Sequence, residues 1–169
     1  MIFYTGIGAR ITPPQTCERF VRAGKTLAKL GLTLRSGAAP GADESFENGC
    51  DLAEGAKEIY LPYLGFRNHD SKLNGSSKES RIMASRFHPA WHNVGNTGRD
   101  YHGRNVCQVL GMDLETPSKF VMCWTQDGKT EGGTATAIRV AEHHNIPVFN
   151  LGKMTTDEVD NEISLILDL

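Results

Sequence analysis

The chain has 169 residues, 39% hydrophobic and 22% charged, with a net charge of −2. That length suits one domain with a sizeable core, the composition gives no ground for disorder, and the charge argues against coating nucleic acid through a global field. No apolar run reaches the length of a membrane span and the N-terminus lacks a signal pattern, so a cytoplasmic protein with no membrane partner is expected.

Ile2–Thr5 reads as a buried first strand running into a small-residue turn, Gly6-Ile-Gly-Ala-Arg10. Thr12-Pro-Pro-Gln15 has capping-box spacing with proline in the first helical turn. Cys17, Phe20, Val21, Gly24, Leu27 and Ala28 then form one helical stripe, which Gly31 closes. Leu32–Ser36 is a second strand. It opens into Gly37-Ala-Ala-Pro-Gly41 and a helix to about Glu54, and Lys57–Pro62 is strand three.

From Leu64 to about Gly98 no clean period appears, apart from a short helix expected around Lys78–Phe87. A long irregular segment in a compact domain is unusual unless it serves as a lid or binding loop. Arg99–Leu110 reads as a helix, and Lys119–Trp124 as a central strand buried on both faces. Thr130-Glu-Gly-Gly-Thr134 opens a helix through His143 that Asn145 caps. Ile146–Asn150 is the last strand, and Thr155–Glu158 is a second capping box before a terminal helix carrying Val159, Ile163, Ile166 and Leu167.

Strands alternate with helices throughout. The pattern predicts an α/β, Rossmann-like, doubly wound fold: a mostly parallel sheet of about five strands, helices on both faces, one domain over 1–169, and an irregular basic insertion at about 63–105. In such sheets ligands sit beyond the carboxyl ends of the strands. The turns at Gly6–Arg10, Ser36–Gly41 and Thr130–Thr134 all follow strands and are expected on that one edge. A glycine loop running into a helix N-terminus is how α/β proteins hold a phosphate, although an ordinary strand-to-helix connection looks the same in sequence.

Charge is distributed unevenly. From Tyr63 to Asn105 there are seven Lys/Arg and three Asp/Glu, whereas Gly37–Ala56 has five acids and no base. A basic insertion beside an acidic helix suits an anionic ligand with hydroxyl groups. Asp43 and Glu47 lie one helical turn apart and so share a face. Each either accepts hydrogen bonds from ligand hydroxyls, acts as a general acid or base, or belongs to a solvated acidic face. Arg10, at a strand end, presents five donors to a phosphate or a carboxylate. Arg99 and Arg104 flank the start of a helix with Asn105 beside them, an arrangement that either meets an anion or is plainly solvated. Trp124 ends a strand where a base could stack, or is a core residue. His88 and His92 have the spacing of a helical metal pair, but Pro89 lies between them and no third ligand is evident, so no metal is expected. Neither a Ser/His/Asp triad nor a Walker lysine can be assembled, and no cofactor is called for. The cysteines (Cys17, Cys50, Cys107, Cys123) contain no C-x-x-C pair and read as reduced thiols.

Gly6-Ile-Gly-Ala-Arg10, Arg35-Ser-Gly-Ala-Ala-Pro-Gly-Ala-Asp43 with Phe46, and Gly132-Gly-Thr134 together resemble the SLOG superfamily. That group comprises the Rossmann-like domain of DNA-processing protein A, the LOG phosphoribohydrolases and their relatives, and the nearest likeness is to small single-domain DprA-like proteins of phages. The resemblance spans nearly the whole chain. It implies a Rossmann-like fold that binds nucleotides or nucleotide-derived ligands. Ser36, Gly37, Gly41 and Asp43 would line the pocket with Gly8 close by, and Gly132, Gly133 and Thr134 would hold a phosphate. The phosphoribohydrolases carry a glutamate pair after their glycine–threonine motif; Ala135-Thr-Ala137 stands there in this chain. The winged helix of many DprA proteins has no room in this length. Three functions are thereby expected as rivals. The first is binding of an ADP-ribose-like ligand as a sensor or sequestering protein. The second is hydrolysis of a nucleotide N-glycosidic bond, with Asp43, Glu47 and Arg104 as candidate catalytic residues. The third is single-stranded DNA binding. Homo-oligomers are common among such domains, though no stripe demands one.

Overall fold

A computed structural model describes all of residues 1–169. Six strands form one sheet: β1 (Phe3–Gly8), β2 (Thr33–Ser36), β3 (Lys57–Leu61), β4 (Leu73–Asn74), β5 (Val121–Trp124) and β6 (Val148–Asn150). Their order is β4-β3-β2-β1-β5-β6, and every pairing is parallel. The chain winds outward from β1 to β4, then returns to the other side of β1 for β5 and β6. The winding therefore reverses between β1 and β5, where an α/β sheet opens a crevice. The fold is α/β and Rossmann-like, as the alternation of elements implied.

The helices are α1 (Pro14–Lys29), α2 (Ala42–Leu52), α3 (Lys78–Ser85), α4 (Asn96–Leu110), α5 (Ala135–His143) and α6 (Thr156–Leu167). Side-chain alternation on β5 divides the core in two. Phe120, Met122 and Trp124 pack with residues of α1, α2 and α6, whereas Val121 and Cys123 pack with α3, α4 and α5. On the first side Phe46 of α2 stacks on Phe20 of α1 at 4.2 Å between ring centroids and meets Tyr4 of β1 edge-on. No helix is long and apolar enough to cross a membrane, and the four cysteines are free.

Three local expectations change. The sheet has six strands rather than about five, because β4 lies inside the stretch without a clean period. Two residues are too few to show a period of two, yet Leu73 and Asn74 pair with Tyr60 and Leu61. The rest of that stretch supplies α3 and the first turn of α4, which begins at Asn96, three residues before Arg99. The Thr12 capping box does not form. Pro13 is extended (φ −58°, ψ 148°) and is itself the N-cap, so Gln15 falls one position short of the reciprocal site; Thr12 Oγ1 donates instead to Ala9 O at 2.6 Å. The Thr155–Glu158 box forms, with Glu158 N donating to Thr155 Oγ1 at 3.2 Å.

Helices α1 and α2 approach closely because glycine stands at their crossing. A Cβ on Gly49 would lie 2.0 Å from the Val21 carbonyl oxygen, backbone that cannot rotate away. Gly49→Ala is accordingly expected to destabilise the fold by about 1–3 kcal/mol, the cost of overpacking a well-filled interior. Urea unfolding monitored by circular dichroism measures it; an unchanged midpoint would show that the helices can separate freely.

Candidate functional site

The reversal between β1 and β5 carries a cavity of about 330 Å³. Four chain segments line it: Ile7–Arg10 from the end of β1, Ala39 and Asp43 from the β2–α2 loop and α2, one face of α4, and Gly133-Thr134 ahead of α5. Two glycines at the end of β1 let α2 lie against the strand. A Cβ on Gly8 would meet Ala42 Cβ at 2.6 Å, and one on Gly6 would enter the Phe46 ring. The turn expected to face a ligand is thus also a packing surface that brings Asp43 beneath the cavity.

Asp43 is the acid of this site, and it is almost wholly buried. Ala39 N donates to its Oδ2 at 3.4 Å. Burial pushes its pKa up to about 6, against the opposing pull of Arg104 and of the nearby amides of Ala39, Gly8 and Gly37. The Gly37–Gly41 loop therefore has the protein's own carboxylate against it, bonded through the Ala39 amide. A Cβ on Gly37 would collide with Gln108, Arg104 and Asp43 together. That glycine makes room for a buried polar cluster, and Gly37 does not itself reach the cavity wall.

Arg104 is buried opposite. It donates to the carbonyl oxygens of Gly37 and, at 3.4 Å, of Tyr60, and to Asn105 Oδ1 at 3.1 Å. Its guanidinium carbon lies 5.5 Å from the Tyr101 ring centroid and 5.8 Å from that of Phe66. Burial lowers its pKa, partly offset by the negative charge of Asp43. Asn105 Nδ2 donates to Gly133 O at 2.6 Å and so fixes the turn before α5 from the α4 side. Arg10 is exposed at the mouth and forms no ion pair. Gly132 has φ +75°, and a Cβ on either Gly132 or Gly133 would meet nothing within 4 Å. The mouth is consequently open on the glycine side, where the first amides of a helix lack intrahelical acceptors. A cationic fork, a buried guanidinium and a helix start around one cavity form an arrangement able to hold a phosphate.

Sequence reasoning placed several residues here that the fold places elsewhere. Ser36 is buried in β2 and donates to Gly6 O at 2.6 Å, tying two strands together. Gly41 is the N-cap of α2 at φ +83°, packed on the backbone of Ala9 and Arg10. Trp124 lies in the core with α1, α2 and α6, on the far face of β5 from the α4 and α5 side, so it offers no stacking platform to the cavity. Glu47 is one turn from Asp43, yet it pairs with Lys57 Nζ at 2.9 Å and His69 Nε2 at 2.7 Å and does not line the cavity. Arg99 opens into a different groove. His88 packs against His102 at 4.6 Å between ring centroids, and no three potential metal ligands gather anywhere.

Two lining side chains, His102 and Gln108, were not assigned to the site from sequence. For Gln108 the available signal was the polar stripe Tyr101, Arg104, Asn105 and Gln108, spaced by three and four and running into the apolar C-terminal half of the helix; nothing marked His102. His102 Nδ1 bonds to Thr136 Oγ1 at 2.9 Å. Burial first, then His88, Arg139 and Arg104, depress its pKa to about 4, so the imidazole is neutral at physiological pH.

No family model matches the sequence, and no curated protein does. Among solved structures the chain is similar to the Moco carrier protein of Chlamydomonas reinhardtii, at 18% identity and a TM-score of 0.54 over 98% of this chain and 83% of that one. It is also similar to DNA processing protein A of Helicobacter pylori, a structure of its single-stranded DNA binding mode, at 16% identity and a TM-score of 0.55. That match covers 88% of this chain and 64% of the other. Both likenesses are of the fold, and this chain shares the Rossmann-like architecture of both neighbours.

The two shifted groups oppose one another on acid titration. Asp43, raised in the fold, binds its proton earlier than in the unfolded chain, so its contribution to stability falls as pH rises from about 4 to about 6. His102, lowered in the fold, contributes stability that rises with pH over about 4 to 6.5. Relative to wild type, Asp43→Asn should make stability climb more steeply with pH across that window, and His102→Gln should make it climb less or fall. Thermal melts in a pH series check both signs; parallel curves for all three proteins would show that neither group is perturbed.

Proposed function

We propose that the cavity at the reversal binds a nucleotide or nucleotide-derived ligand of the ADP-ribose kind, and that the protein acts as a sensor or sequestering protein. One observation carries this reading. Arg10 has no anion, Gly133-Thr134 opens a helix start, and both border a cavity whose one acid, Asp43, is buried and faces the Arg104 charge. In this reading the phosphate sits on Gly133, Thr134 and Arg10, displaced from the Gly37–Gly41 loop that Asp43 occupies. Asp43, with Asn105 and the neutral His102, meets ribose hydroxyls. At about 330 Å³ the cavity falls at the small end of the range for small-molecule sites and suits one nucleotide unit of such a ligand, the remainder lying outside its mouth. The fold neighbours support ligand binding in general terms: one is named for carrying Moco, the other for binding single-stranded DNA.

Gly133→Glu tests the reading with little risk to folding, because the new side chain enters open space. Calorimetry against AMP, ADP and ADP-ribose is expected to find binding by the wild type and a loss of about tenfold or more in the variant, since a like charge at the rim opposes phosphate. Equal affinities would remove phosphate from that position.

A second reading rests on Asp43 alone. A buried carboxyl with a pKa near 6 in a cavity is suited to general acid or base work, here on an N-glycosidic bond. Glu47 is tied to Lys57 and His69, so the reading has only one carboxyl at the cavity. Incubation with nucleoside monophosphates or NAD, followed by chromatography, decides it: free base that disappears in Asp43→Asn establishes turnover, and none leaves a binder.

A further inference from the structure

The carboxyl edge of the sheet continues past the first cavity. Tyr63 follows β3, Asn74 ends β4, and beyond them lies a second groove of about 610 Å³. The 63–105 segment builds most of it, and its charges are not balanced. Arg81 is paired with Asp100 and also donates from Nε to Ser76 Oγ at 3.0 Å. That uses the one acid in the groove. Lys78 is exposed and forms no ion pair. Arg99 donates to the Trp91 carbonyl oxygen at 3.2 Å and forms no ion pair, so its charge is without a counter-ion. Trp91 lies beneath the same guanidinium, 5.1 Å from ring centroid to carbon, and Tyr63 is 45% exposed. The groove thus offers cations for a phosphate beside flat rings for a base.

Both cavities share the start of α4. Arg99 and Asp100 face the groove, while Gly98, Tyr101 and His102 face the first cavity. Trp91 lines the groove and His102 the first cavity, and the two rings pack edge-on with centroids 6.1 Å apart, so only these two side chains separate the spaces there.

We infer that the groove is a second subsite, in which Arg99 and Lys78 take a second phosphate and Trp91 a second ring. The ligand class is then two nucleotide units joined through phosphate, rather than one. The inference rests on the nucleotide reading of the first cavity and adds the partner space that a mononucleotide leaves empty.

Calorimetry with AMP and with a terminally phosphorylated diadenylate tests it on the full chain. Wild type is expected to bind the diadenylate about tenfold or more tightly than AMP, the gain of one further charge-assisted contact. Arg99→Gln and, separately, Lys78→Gln are expected to erase most of that gain and leave AMP affinity unchanged. Lys78 is exposed and unpaired, so its variant keeps the test alive if Arg99→Gln fails to fold. A longer oligoadenylate separates the sources: no further gain assigns the subsites to a free dinucleotide-type molecule, a further gain to the end of a strand, and either requires both cavities. AMP bound as tightly as the diadenylate overturns the second subsite and leaves the first standing. Binding of neither overturns both.

Discussion

The structure depends on a carboxylate held in a place where another protein could put a phosphate. Asp43 sits at the first turn of α2, buried, with the Ala39 amide bonded to it and a buried arginine opposite. Burying a lone charge would cost several kcal/mol; here Arg104 and the nearby amides offset that cost in part, and a pKa near 6 is the remainder. The cluster joins β1, β2, α2 and α4 at one point. It is also why Gly37 has no side chain to spare and why α4 carries a polar stripe through an otherwise apolar layer.

That arrangement moves the open anion position sideways. With the β2–α2 loop closed on its own acid, the amides open to the first cavity are those ahead of α5, and the unpaired cation at its mouth is Arg10. Asn105 links the two halves, since its amide holds Gly133 O while its carbonyl receives Arg104. A change on α4 therefore reaches the helix start before α5 through two hydrogen bonds, without crossing the sheet.

The fold was largely legible because hydrophobic period and glycine punctuation agree along most of the chain. Phe120, Met122 and Trp124 against Val121 and Cys123 show the alternation of a strand buried on both faces, and Gly31 and Asn145 close α1 and α5 with positive φ, as their residue types imply. The site was legible in part. Glycine motifs mark where a backbone must come close, but not to what. Gly8 and Gly37 are small because Ala42 and the Asp43–Arg104–Gln108 cluster press on them, and a ligand would have left the same trace. Glu47 could not be told from Asp43 by spacing, since its partners Lys57 and His69 come from β3 and the insertion. Trp124 could have faced either side of β5, and register alone decided it. The second groove was hidden because β4 is two residues long and the segment around it has no period to read.

The most direct test of the central claim reads the amides themselves. At 18.5 kDa the protein is accessible to two-dimensional N–H NMR, and AMP can be titrated into it. Phosphate at the reversal predicts that the largest shifts fall on Ala9, Arg10, Gly133 and Thr134, with Ala39, already bonded to Asp43, and Gly37, which does not line the cavity, moving little. Shifts that are absent throughout, or that gather away from the carboxyl edge of the sheet, would contradict it.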